Sequence, residues 1–108
     1  MAATASDLIF KTLGDPTRRA IFERLCRDGE LTVWKITEPT GVSQPAVSKH
    51  LGALKRAGLV QDRREGRETH YSAQPQALSS LIDWTTQMTA FWEGRIDRLE
   101  DLLNRMDH

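Results

Sequence analysis

The chain has 108 residues, of which 28% are charged and 39% hydrophobic, and its 15 Lys and Arg balance 15 Asp and Glu. That composition fits one globular domain with a modest core and excludes a disordered chain, and no run of about 18 apolar residues offers a membrane span. The single cysteine, Cys26, rules out an intramolecular disulfide and fits a reducing, cytoplasmic setting; the opening MAATASDLIFKTL lacks the basic and apolar blocks of a secretory signal.

In chain order, Ser6 to Leu13 reads as a first helix, with Leu8, Ile9, Phe10 and Leu13 as its apolar contacts and Gly14 as its stop. Asp15-Pro16 then pairs an N-cap residue with a proline at the first helical position, where a missing N–H costs nothing. The second helix runs from there to about Asp28, with Ile21, Phe22 and Leu25 facing inward. Arg18 and Arg19 stand near its start, against the helix dipole, either as phosphate contacts or, more simply, as solvated cations. Cys26 follows Leu25 in apolar company, so a buried, inert thiol is expected; a redox sensor needs an exposed, thiolate-stabilising setting.

Gly29-Glu30-Leu31 is a connector long enough for one short strand, and Thr32 caps a third helix with Val33, Trp34 and Ile36 as core candidates. Gly41 marks a turn. Ser43 then caps a longer helix, SQPAVSKHLGALKRAGL, that Gly58 ends. Val47, Leu51 and Leu54 give this helix one apolar face. Pro45, Lys49, Gly52 and Arg56 lie opposite, a face with two cations and little bulk that suits a groove of nucleic acid. An ordinary amphipathic surface helix has the same pattern, so its neighbours decide. A short helix, a glycine turn and this longer helix form a helix-turn-helix, whose second helix enters the major groove.

After Gly58 the period changes. Leu59–Arg64 and Glu68–Ser72 read as two strands around Glu65-Gly66-Arg67, a β-hairpin carrying Arg63, Arg64 and Arg67. Beside a recognition helix such a hairpin is a wing, with arginines placed to reach backbone or a minor groove. Between Gln44 and Tyr71 six Lys or Arg face three acids, whereas from Pro75 onward three Arg face six acids. A neutral chain thus segregates charge as one with an anion-binding face does.

From Pro75 the sequence is helix-forming to its end. Leu78, Leu81, Ile82, Met88, Trp92, Ile96, Leu99, Leu103 and Met106 keep helical spacing, widened by Trp84, Phe91 and Leu102. About 70 residues of core are too few to cover a stripe about 45 Å long, so it is expected to pair with a second copy. The expected dimer interface comprises Leu8 and Ile9 of the first helix with Leu81, Trp84, Met88, Phe91, Trp92, Ile96, Leu99 and Leu103. The aromatic residues Trp34, Trp84, Phe91 and Trp92 are read as packing residues, with a small-molecule pocket between protomers as the sharper alternative.

The runs DPTRRAIFERL, SQPAVSKHLGALKRAGLV and RREGRETHYS together resemble the ArsR/SmtB-type winged-helix repressors of bacteria, over about residues 6 to 74. The closing FWEGRIDRLEDLL resembles the branch of that family without metal sites. The resemblance implies a mainly α fold with a small β-hairpin: a winged helix-turn-helix with a long terminal helix for dimerisation. One domain over 1–108 would comprise a DNA-binding core with wing at 6–74 and a dimerisation helix at 75–108. It implies a homodimeric repressor on a palindromic operator in double-stranded DNA, with Gln44, Ser48, Lys49 and His50 facing the groove. The helical wheel agrees for Lys49 and in part for Ser48. It sets Gln44 and His50 on opposite flanks of the apolar stripe, so His50 is equally a half-buried packing residue.

Metal-sensing members of that family carry an ELCVCDL-type run before the turn; here the run is Glu30-Leu31-Thr32-Val33-Trp34-Lys35-Ile36, with Thr32 and Trp34 at the cysteine positions. No Cys/His set with metal spacing exists, so neither metal nor cofactor is expected. No nucleophile–base set, P-loop or dinucleotide glycine pattern occurs, so no enzyme is expected either. The expected DNA contacts are therefore Gln44, Pro45, Ser48, Lys49, His50 and Arg56 of the helix with Arg63, Arg64 and Arg67 of the wing. Two other functions fit the residues: a winged-helix protein adapter with no specific DNA site, and a repressor relieved by a small molecule or by oxidation of Cys26.

Overall fold

The computed structural model describes residues 4–107, and the chain divides between Leu78 and Ser79 into two compact units. The first unit holds α1 (Ala5–Leu13), α2 (Pro16–Asp28), β1 (Leu31–Thr32), α3 (Val33–Thr37), α4 (Gln44–Arg56), β2 (Val60–Glu65) and β3 (Glu68–Ala73). A 3-10 turn at Pro75–Leu78 ends it. The second unit is α5 (Ser79–Met106). The order is that of a winged helix-turn-helix, mainly helical with a small antiparallel sheet.

Local chemistry sets the helix ends. Thr4 opens α1 through a reciprocal capping box: its hydroxyl accepts from Asp7 N–H, and the Asp7 carboxylate accepts from Thr4 N–H. This places the start one residue before the Ser6 predicted from sequence. Asp15 caps α2 by accepting from Arg18 N–H, which holds its carboxyl below the usual carboxylate range. Ser43 caps α4 through Ala46 N–H. Gly58, at φ 76°, ends α4 in a Schellman motif, with Leu59 N–H donating to Leu54 O and Gly58 N–H to Lys55 O.

Ile9, Ile21, Phe22, Leu25, Ile36, Val47, Leu51, Leu54, Leu59 and Val60 form the core of the first unit. Within it α2 packs on α1, α4 and β3, while α3 packs on α4. Val47, Leu51 and Leu54 are fully buried, so the apolar face read from the sequence of α4 is its inner face. Three expectations change. Ile9 is buried in this core and is therefore withdrawn from the expected dimer surface, whereas Leu8 is exposed. Trp34, expected in the core, is 64% exposed because it sits one residue into a short helix whose inward position goes to Ile36. Cys26, expected to be buried, is exposed on α2, since Leu25 takes the inward place beside it.

The sheet has the order β1-β3-β2, all antiparallel. Gly66, at φ 62°, takes the first position of the two-residue turn Gly66-Arg67, as a type II′ hairpin requires. The α5 helix, 28 residues and about 42 Å long, carries no buried residue, and Ile82, Phe91, Trp92, Leu99 and Met106 are each more than half exposed. Among the described residues no helix is long and apolar enough to cross a membrane.

Candidate nucleic-acid interface

The turn between α3 and α4 is built to hold α4 at a fixed angle. Thr40 Oγ1 donates to Thr37 O at 2.8 Å and accepts from Val42 N–H at 3.1 Å, and Gly41 supplies the left-handed residue at φ 68°. From α2, Arg24 reaches across to the end of α3, donating through Nη1 to Lys35 O at 2.6 Å and Ile36 O at 3.3 Å. Its Nε pairs with Asp28 at 3.3 Å. This arginine satisfies carbonyls that a five-residue helix leaves open, so it positions the helix-turn-helix from behind. Only the Arg24/Asp28 spacing of four hinted at it in the sequence.

Arg18 and Arg19 both have hydrogen-bond partners within the fold. Arg19 Nη1 donates to Leu13 O at 2.8 Å and Arg18 Nη1 to Thr12 O at 3.5 Å, closing the C-terminus of α1. Arg18 Nε also donates to His50 Nδ1 at 3.4 Å. His50 is half-buried on the flank of α4. The flank position read from the helical wheel is the one observed.

On the outer face of α4, Pro45, Ser48, Lys49 and Arg56 are exposed and Gln44 is half-buried at the first turn. Of the six cations between Gln44 and Tyr71, two are committed within the fold. Lys55 pairs with Asp62 at 3.0 Å. Arg63 is held by Glu30 through Nε at 3.0 Å and Nη2 at 2.6 Å, and by Glu65 at 2.9 Å. The guanidinium holds the Glu30 carboxyl below its usual range, and the two carboxylates raise the arginine still further. His70, cross-strand from Arg63, adds Nδ1 at 3.6 Å from Glu30. Arg63 thus ties the wing to the start of β1, a role that sequence spacing alone did not reveal because Glu30 lies 33 positions away.

The other four cations, Lys49 and Arg56 on α4 with Arg64 and Arg67 on the wing, have no hydrogen-bond or ion-pair partner among the described residues. Uncommitted charge on one helix face and one hairpin tip is available to an external anion. Phosphate meets that description. Away from this face, partial desolvation by its helix neighbours pushes the thiol of the exposed Cys26 up, with Arg27 opposing the shift and Glu23 adding to it, so the thiolate is disfavoured. Among the described residues no group of three or more His, Cys, Asp or Glu is placed to hold a metal ion.

Comparison with known proteins bears on the same elements. The model of bacterial regulatory proteins of the arsR family matches residues 15–62, from the N-cap of α2 into β2. The transcriptional repressor SdpR of Bacillus subtilis is 38% identical over 76 residues, covering 70% of this chain and 83% of that protein. The HTH-type transcriptional regulator Rv2034 of Mycobacterium tuberculosis is 43% identical over 98 residues, covering 91% of this chain and 88% of that one. The chain belongs to the arsR family. As an arsR-family protein it is a DNA-binding transcriptional regulator. Its fold also matches the solved ArsR-like transcriptional regulator from Rhodococcus sp. RHA1, with a TM-score of 0.75 at 28% identity over 91% of this chain and 92% of that chain.

Proposed function

We propose that this arsR-family regulator is a cytoplasmic, homodimeric repressor that occludes a promoter by binding a palindromic operator, without sensing a metal. The division of its cations carries the reading: Lys49, Arg56, Arg64 and Arg67 stay uncommitted on α4 and the wing, while Lys55 and Arg63 are paired. Gln44 and Ser48, at the first turns of α4, are the candidates for base edges, and the four cations for phosphates. The exposed apolar stripe of α5, with Leu8 of α1, supports burial against a second copy. Two recognition helices about 34 Å apart would then meet successive major grooves. The relative named as a transcriptional repressor supports repression over activation. With one cysteine in the chain and Trp34 and Thr32 in the run before the turn, no thiolate ligand set is available, which supports a regulator without metal sensing.

The test separates the two cation classes. Arg64→Gln with Arg67→Gln removes four cations from each dimer, so it should weaken binding to operator and to random DNA alike and lower the slope of log affinity against log salt by nearly four. Arg63→Gln should leave that slope unchanged and instead loosen the wing. Equal slopes for the double variant and the unsubstituted protein would remove the wing from the interface.

A further inference from the structure

Among the described residues of the first unit, Trp34 is the most exposed large apolar side chain, at 64%, compared with 42% for Leu8 and 43% for Phe10. Its position is as telling as its exposure. With Thr32 and Val33 of α3's start, it lines a cleft of about 120 Å³ whose other walls are Gln44, the first residue of the recognition helix, and Arg67, Glu68 and Thr69 of the wing. The indole therefore stands in the gap between the two elements assigned to DNA. Arg67 in this cleft and the neighbouring Lys35, also exposed, are cationic and uncommitted, against one acid, Glu68.

We infer that Trp34 is a DNA-backbone contact: its ring packs on a deoxyribose while its Nε1–H donates to a phosphate oxygen, at the point where the strand passes from recognition helix to wing. The inference rests on the DNA-binding reading above. A sugar–phosphate strand suits the cleft for three reasons. The indole is an apolar body with a single donor and no acceptor, which matches a sugar face bordered by anionic oxygens. Lys35 and Arg67 favour an anion in the same place. Exposure of so large an apolar surface is unfavourable in the free protein and is relieved only when something covers it. A contact of this kind fixes register and carries no sequence information, so its loss affects every DNA sequence alike.

The experiment uses the full chain with its three tryptophans replaced biosynthetically by 5-fluorotryptophan, so that Trp34, Trp84 and Trp92 each give a fluorine resonance. Trp34→Phe identifies the first. Addition of a duplex from the chain's own promoter should shift the Trp34 resonance. In parallel, Trp34→Ala should weaken binding to that duplex and to random DNA by the same factor, roughly tenfold, with Trp34→Phe in between and all melting temperatures unchanged. A Trp34 resonance unmoved while DNA is bound would overturn the assignment. So would a Trp34→Ala variant that alters base preference, or a resonance that moves with protein concentration in the absence of DNA, which would mark a second copy as the cover. Failure of the unsubstituted protein to bind any duplex would overturn the DNA-binding reading itself and this contact with it.

Discussion

Gly52 sits at the middle of the exposed face of α4, between Lys49 and Arg56, and nothing in the fold requires a glycine there. Its φ is not positive. A Cβ built on it meets only the far end of Arg56, at 3.5 Å, an ordinary van der Waals contact with a flexible side chain. Gly52→Ala should therefore stabilise the protein, since glycine in a helix interior is worse than alanine by about 0.5–1 kcal/mol. A full 1 kcal/mol corresponds to a rise in Tm of about 4–8 °C for a domain of this size. DNA binding should move the other way. If backbone or base edges approach this face closely, one added methyl overpacks the contact by about 1–3 kcal/mol, roughly a 5- to 140-fold loss of affinity. Gly52→Val should lose more. Thermal melting read by circular dichroism and anisotropy titration of a labelled promoter duplex measure the two effects on one preparation. A variant that is both more stable and fully active would show that the middle of α4 does not approach DNA, and a fall in Tm would refute the account of the helix.

Two further outcomes follow from the same physical picture. Because Arg63 holds Glu30 below its ordinary pKa, the pair contributes to stability above the unfolded-state value of about 4.3 and that contribution is lost as pH falls through the lower folded value. Glu30→Gln should thus be less stable than the unsubstituted protein near pH 7, with the gap closing below about pH 4.3 in denaturant titrations; a gap constant across that range would contradict the pairing. On α5, Trp92→Glu with Leu99→Glu should shift sedimentation at micromolar concentration from dimer to monomer, because charge is placed on a stripe now more than half exposed in each copy. An unchanged sedimentation coefficient would move the interface elsewhere.

Much of the fold was legible because its signals are local. Asp15-Pro16, Ser43 and Gly58 mark helix ends by short-range chemistry, and the spacing of Val47, Leu51 and Leu54 marks the inner face of α4. The helix α1 began early because a Thr4–Asp7 capping box lies just outside the apolar pattern. Errors arose where one position decides between inside and outside in a short element: Trp34 in five-residue α3, Ile9 beside Leu8, and Cys26 beside Leu25. The site was harder to read. Sequence counts all six cations of the α4–wing region alike, whereas the fold commits Arg63 to Glu30 and Lys55 to Asp62 through tertiary contacts. Arg18, Arg19 and Arg24 were similarly indistinguishable from surface charge until carbonyls of other helices came within reach of their guanidinium groups.

The most direct measurement is equilibrium binding to the promoter DNA upstream of the chain's own gene, set against a random duplex of the same length over a salt series. A specific regulator whose α4 and wing cations meet phosphate should bind the promoter at least about a thousandfold tighter than random DNA, and weaken steeply with salt on both. Equal, shallow binding to the two duplexes would contradict it and turn attention to a protein partner for the same surface.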